Sequence, residues 1–163
     1  MIDFRVVTFC IALAFGTPAA LAQETNLTFG EGASDPSLPV EVTSETLDVN
    51  QADGSAEFKG NVIVVQGEMR LSARRVLVIY NEEKSAIERM EATGDVVLAS
   101  GPDAAEADRA DYTIDSGVIV LTGNALLMQG PNTLASDKVT VNLETGTAQM
   151  VGRVKTILQT GGN

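Results

Sequence analysis

The sequence predicts an all-β protein, a folded-over antiparallel sheet built from repeated long strands, and three observations carry that expectation. First, the stretch Phe58-Lys59-Gly60-Asn61-Val62-Ile63-Val64-Val65-Gln66-Gly67 returns in weaker copies. They are Gly94-Asp95-Val96-Val97-Leu98, Leu121 to Gly130 and Val151 to Thr156, and their glycines stand 34, 29 and 29 positions apart (94 − 60, 123 − 94, 152 − 123). A period of this kind marks a unit that buries its apolar face only by stacking on its neighbours. Second, apolar and polar residues alternate between the copies, as in half-buried strands. Third, turn-forming Gly, Pro, Asn and Asp recur about every 10 to 15 residues, with long strands between them.

The elements follow in order. Pro39 opens a short strand in which Val40 and Val42 share a face opposite Glu41 and Thr43, and a missing N–H does least harm at a strand start. A second strand covers about 46–50, and Ala52-Asp53-Gly54 turns the chain into a long strand, 55–66. Its partner is 69–80. Strands at 86–99, 107–115, 118–129, 134–143 and 147–158 complete the set, with Asn81 to Lys84, Gly101-Pro102-Asp103, Ser116-Gly117, Gly130-Pro131-Asn132 and Thr145-Gly146 as turns. Residues 73–83 and 104–112 contain good helix formers. The run Val76-Leu77-Val78-Ile79-Tyr80 is β-branched and aromatic, however, and convincing helix caps are lacking, so both segments are read as strand.

Before Pro39 the chain divides in two. Residues 1–22 carry Arg5, an apolar run from Val6 to Phe15 and the small-residue ending Ala20-Leu21-Ala22. This is the layout of a cleaved secretory signal peptide; the apolar run is too short for a spanning helix, which needs roughly 20 residues. Residues 23–38 lack a clear period and are read as a flexible arm. The β-domain is expected over 39–159, with a tail at 160–163.

Composition excludes several function classes. Histidine is absent, and the single cysteine, Cys10, lies in the expected leader. The mature chain would therefore hold no thiol, disulfide or imidazole, which removes the commonest general base and zinc ligand. No Gly-x-Ser-x-Gly elbow, phosphate-binding glycine loop or calcium loop is present. Removal of residues 1–22 takes away one acid and one base, so the net charge stays at −11 (10 Lys/Arg against 21 Asp/Glu). An acidic chain is ill suited to nucleic acid. Asp103, Glu106, Asp108, Asp111 and Asp115 form an acidic cluster that matches no metal-ligand template and reads as a solvated face. Arg70, Arg74 and Arg75, the one basic cluster, read as outward strand residues. No catalytic residue, metal or cofactor is expected.

The last copy fixes which residues face inward. Arg153 and Lys155 sit poorly in an apolar interior, so Val154 between them is assigned inward. Alternation then places Val62, Val64, Val96, Leu98, Ala125 and Leu127 on the same face, with Phe58, Ala92, Leu121 and Met150 two residues before each glycine. A glycine in mid-strand accompanies a bulge, a bend or a close backbone approach. Four at matching places would curl the sheet at one level. Two readings stay open: glycines that only set the register of a packed β-core, or a curled sheet with an accessible apolar trough.

The blocks Phe58 to Gly67, Val120 to Leu127 and Ser136-Asp137-Lys138-Val139, in this order behind a leader, resemble the LptA family, the OstA-like periplasmic proteins of lipopolysaccharide transport. The resemblance covers about 39–158. It implies a twisted, open β-jelly-roll whose apolar interior holds lipid A acyl chains, and protomers that add end to end by strand pairing between inner-membrane and outer-membrane transport subunits. It implies lipid-facing positions at Val40, Val42, Tyr112 and Ile114 near the mouth. With the inward face derived above, the candidate lipid-binding set is Val40, Val42, Phe58, Val62, Val64, Leu98, Tyr112, Ile114, Leu121, Leu127 and Val154. The edges near Val40 and Val154 would carry the pairing. The alternatives are an inner-membrane-anchored LptC-like subunit, a ligand-free β-filament scaffold and a periplasmic hydrolase.

Overall fold

The structure, a computed structural model, describes residues 26–30, 35–83 and 85–158. The expected leader, Cys10 and the 160–163 tail lie outside them. Eleven strands follow in chain order: β1 (Asn26–Thr28), β2 (Glu41–Thr43), β3 (Thr46–Asn50), β4 (Ser55–Gln66), β5 (Met69–Tyr80), β6 (Ile87–Ser100), β7 (Asp103–Thr113), β8 (Val118–Gln129), β9 (Asn132–Asn142), β10 (Thr147–Val151) and β11 (Lys155–Ile157). The family-like expectation of an all-β antiparallel open sheet is met. The strand order is β1-β10-β9-β8-β7-β6-β5-β4-β2, with β3 also on β4 and β11 also on β9. Both segments rich in helix formers are strands, because β-branched and alternating side chains find cross-strand partners on either side.

The long strands bend at mid-length, and the sequence copies encode the bend. In β4, Gly60 and Asn61 together face Arg74 of β5; in β6, Gly94 and Asp95 face Asp108; in β8, Gly123 and Asn124 face Asp137. Each pair has two successive left-handed residues: φ is 79° and 45°, 82° and 49°, 81° and 48°. Glycine enters that region freely, and Asn or Asp enters it at the least cost among side chains bearing a Cβ. The Gly-Asn and Gly-Asp dipeptides are therefore the corner itself.

The intervening strands bend differently. In β5, β7 and β9 the alternation slips, and two successive residues face outward: Arg74-Arg75, Asp108-Arg109 and Asp137-Lys138. These pairs repeat at the spacing of the glycines (108 − 74 = 34, 137 − 108 = 29). Corner and slip together run a crease across the sheet, which folds the two halves of every long strand against each other.

The interior lies between the halves. Val62, Val64, Val96, Leu98, Ala125 and Leu127 on one layer, and Val76, Val78, Ala92, Leu121, Val139 and Val141 on the other, are all at most 2% exposed. Charged residues hold the outer face. Arg109 bridges Glu91 and Asp111, Lys59 bridges Asp48 and Glu57, and Arg75 pairs with Glu57. At mid-strand, Arg74 pairs with Asp95.

Three expectations need correction. Val154 is not buried: it lies between β10 and β11 and is 49% exposed. The strand breaks at the bend Gly152-Arg153 and resumes as β11, an edge strand with only β9 beside it among the described residues, so Val154 stays open to solvent although Thr156, at the same parity, opposes buried Leu134. The expected single strand 147–158 is for the same reason two. Within the expected arm at 23–38, the described residues include a short strand: Asn26 to Thr28 pair with Gln149 to Thr147, and Phe29 is 2% exposed.

Candidate functional site

Folding along the crease brings the two long margins of the sheet together. One margin carries the turns after β4, β6 and β8, and the other carries the turns after β3, β5, β7 and β9. Where they meet there is a seam, and at the seam the interior is closest to solvent.

Of the candidate residues, Val62, Val64, Leu98, Tyr112, Leu121 and Leu127 are 0–1% exposed and share the interior. Val40, Val42, Phe58 and Ile114 are partly buried and pack against it. Val40 and Ile114 line an open groove of about 500 Å³ at the seam, together with Pro36, Leu38, Ile87 and Glu144. The structure thus brings ten of the eleven together and leaves Val154 outside.

The interior is packed rather than hollow. The void among Val64, Met69, Leu71, Val76, Met90, Ala92, Ala110 and Tyr112 measures about 10 Å³, and a single water needs roughly that much. The sheet is curled at its glycines, as the second reading expects, while the interior at this place is filled by its own side chains, as the first expects. Facing apolar layers close to van der Waals contact, since a gap forfeits dispersion.

Polar groups at the seam hold it shut. The Tyr112 hydroxyl donates to Gln66 Oε1 at 2.6 Å, and the Gln66 amide donates to Pro36 O at 2.7 Å and Leu38 O at 2.9 Å. Gln66 is 3% exposed and fully used. Burial pushes the Tyr112 phenol up to about 12, against a smaller lowering by its bond to Gln66. Farther along, Phe29 N donates to Gly146 O on one margin, while Gly30 N donates to Asp103 Oδ2 on the other, at 2.8 and 2.9 Å. The Gln129 amide donates to Thr28 O and, at 3.1 Å, to Asp103.

Sequence reasoning missed two of these residues. Gln66 was legible, since the parity of Val62 and Val64 continues to it. Phe29 had only a weak signal, the alternation Leu27, Phe29 in a stretch of low complexity. Asp103 is the member of the acidic cluster that is not solvated, at 8% exposure. The others point outward, Asp108 onto Asn124 and Asp111 onto Arg109. No group of three metal-ligating side chains occurs among the described residues.

The interior is lined mainly by aliphatic side chains along its length. The fold agrees with known structures. It superposes on LptH from Pseudomonas aeruginosa, described as the LptA-homologous periplasmic component of the conserved lipopolysaccharide transport device, with a TM-score of 0.69 over 77% of this chain and 99% of that one, at 19% identity. An uncharacterized protein of Rhizobium meliloti (strain 1021) is 32% identical over 111 residues, which span 64% of this chain and 56% of the relative. The chain thus spans a little over half the length of that relative. The family model for the LptA/(LptD N-terminal domain) LPS transport protein matches residues 41–147, the part that contains the three corners and most of the creased interior, and the chain belongs to that family.

Proposed function

We propose that the protein binds lipopolysaccharide in the periplasm, holds the acyl chains of lipid A between its two layers, and passes them along a chain of like-folded domains. One observation supports this above the others: the apolar lining is continuous from Ala56 on β4 to Met150 on β10, and the sheet that carries it is not closed into a barrel. A sealed core needs no such uniform lining along an open-ended fold; a conduit does.

The packed interior sets the energetics. Burying a methylene gains about 0.8 kcal/mol, so a chain of about twelve carbons could gain on the order of 10 kcal/mol when wholly enclosed. The side chains of the lining are buried with or without lipid, so the driving force is the removal of the tail from water. Against it stand the seam hydrogen bonds, worth about 1 kcal/mol net each. Loading then means parting the layers, and partial enclosure keeps it reversible.

Passage to a neighbour needs free sheet edges. Among the described residues β2 and β3 have partners only on β4, and β11 only on β9. Exposed apolar side chains lie at both ends, Leu47 and Val49 on β3 and Val154 and Ile157 around β11. The outer edge of β10 is taken by β1, so on the C-terminal side the edge proposed to pair with another copy, or with a membrane-bound partner, is β11.

Photo-crosslinking tests the reading. Photoreactive residues at Val42, Leu98 and Tyr112 should capture labelled lipopolysaccharide, and one at outward Lys155 should not. Label on Lys155 alone would overturn the assignment of inside and outside. The nearly filled interior favours a second reading, a sealed β-scaffold without ligand, which predicts no capture at any interior position.

A further inference from the structure

We propose that the N-terminal stretches 26–30 and 35–38 form a strap that seals the lateral seam, and that its release is the step that admits lipid. The proposal rests on the lipid-binding reading above and adds a gate to it.

The strap touches both margins at both of its described stretches. In the first, β1 pairs with β10 and Phe29 N bonds Gly146 O, all on one layer; one residue later Gly30 N bonds Asp103 on the other layer. Gly30 has φ 75°, and a Cβ there would stand 2.6 Å from Ser100 Oγ, so the crossing point favours glycine. Phe29, at 2% exposure, puts a ring into the same apolar interior that acyl chains would occupy. In the second stretch, the carbonyls of Pro36 and Leu38 take both protons of the Gln66 amide on one margin. Pro36 and Leu38 also form the groove wall that faces Ile114 and Glu144 on the other.

Gln66 joins the strap to the lining. Its oxygen accepts from Tyr112 across the layers while its nitrogen holds the strap, so parting the layers at Tyr112 and freeing Pro36 and Leu38 draw on one side chain. Phe29 and a lipid tail compete for the same space. An empty molecule is thereby kept from exposing its lining, and a tail that enters must displace the strap.

A reversible crosslink tests the gate. Thr28 and Thr147 are opposed across the β1–β10 ladder, and opposed residues in an antiparallel pair lie within the Cα separation a disulfide tolerates. The full chain carries T28C and T147C, with Cys10→Ser and a photoreactive residue at Leu98, and rough lipopolysaccharide is the probe. Oxidation should slow capture at Leu98 at least tenfold and dithiothreitol should restore it, the reduced form serving as the control for folding. Phe29→Ala without the crosslink should speed capture several-fold. Equal capture by oxidised and reduced forms would overturn the strap and leave the lipid reading standing. No capture by either form, nor by Phe29→Ala, would overturn the lipid reading and the strap with it.

Discussion

Gln66 and Tyr112, 46 positions apart in the chain, meet across the folded sheet: the buried Tyr112 hydroxyl donates to Gln66 Oε1 at 2.6 Å. Gln66 lies at the end of β4 nearest one margin and Tyr112 at the end of β7 nearest the other. The pair is a polar latch on a mainly apolar interior.

Tyr112→Phe leaves Gln66 Oε1 buried without its donor. The cost should be about 1–3 kcal/mol, because an unsatisfied buried acceptor loses its hydration with no return. Urea denaturation measures it. Combining Tyr112→Phe with Gln66→Met should cost less than the sum of the single changes, and strict additivity would show that the two do not interact.

Alkali should weaken the same latch. Tyr112 titrates at about 12 in the fold against an ordinary value near 10. A raised folded value means that the stabilisation is complete below pH 10 and is lost as pH rises from there through about 12, because the unfolded chain releases its proton first. The full loss is on the order of 3 kcal/mol, at about 1.4 kcal/mol per unit. The difference in stability between the wild type and Tyr112→Phe should therefore shrink between pH 9.5 and 11. A constant difference would place the phenol in water.

The corners make a separate claim. Asn124 has φ 48° and donates to Asp108 Oδ2 at 3.0 Å. Asn124→Gly should stay within about 1 kcal/mol of the wild type, whereas Asn124→Val should lose about 2 kcal/mol or more, as a β-branched residue is forced into the left-handed region. Gly123→Ala should be worse than Asn124→Gly, because its Cβ would stand 2.5 Å from Asp108 Oδ2 and 2.9 Å from Asp108 Cβ. Thermal unfolding of the three variants gives the order.

Much of this was readable from the chain. The long strands were visible because the repeat, the alternation and the turn residues all agreed. The inward face of β4, β6 and β8 followed from parity, since a two-residue left-handed corner leaves spacing across the glycine even. Burial did not follow from parity at Val154, because the strand breaks after Val151 and β11 is an edge strand. The slip in β5, β7 and β9 was not seen, although Arg74-Arg75, Asp108-Arg109 and Asp137-Lys138 announce it as paired charges at the repeat spacing. The strap was not legible: Phe29 and Gly30 find their places through hydrogen bonds to Gly146 and Asp103, more than seventy positions away, and local pattern does not report those.

Assembly depends on the exposed C-terminal strand. Thr156→Pro removes a donor from β11 and disfavours pairing there. Concentration-dependent growth in light scattering should fall markedly relative to the wild type, with the circular dichroism of the sheet retained. Growth that persists unchanged would assign assembly to another surface.

Uptake of lipid, as proposed, requires the two layers to part. Paired spin labels on Glu68→Cys and Asp115→Cys, one on each margin and both exposed, with Cys10→Ser, report the separation of the layers by pulsed electron paramagnetic resonance. A single short distance is expected in the lipid-free protein and a longer one when lipopolysaccharide is bound. An unchanged distance in a sample that demonstrably carries lipopolysaccharide would contradict that requirement.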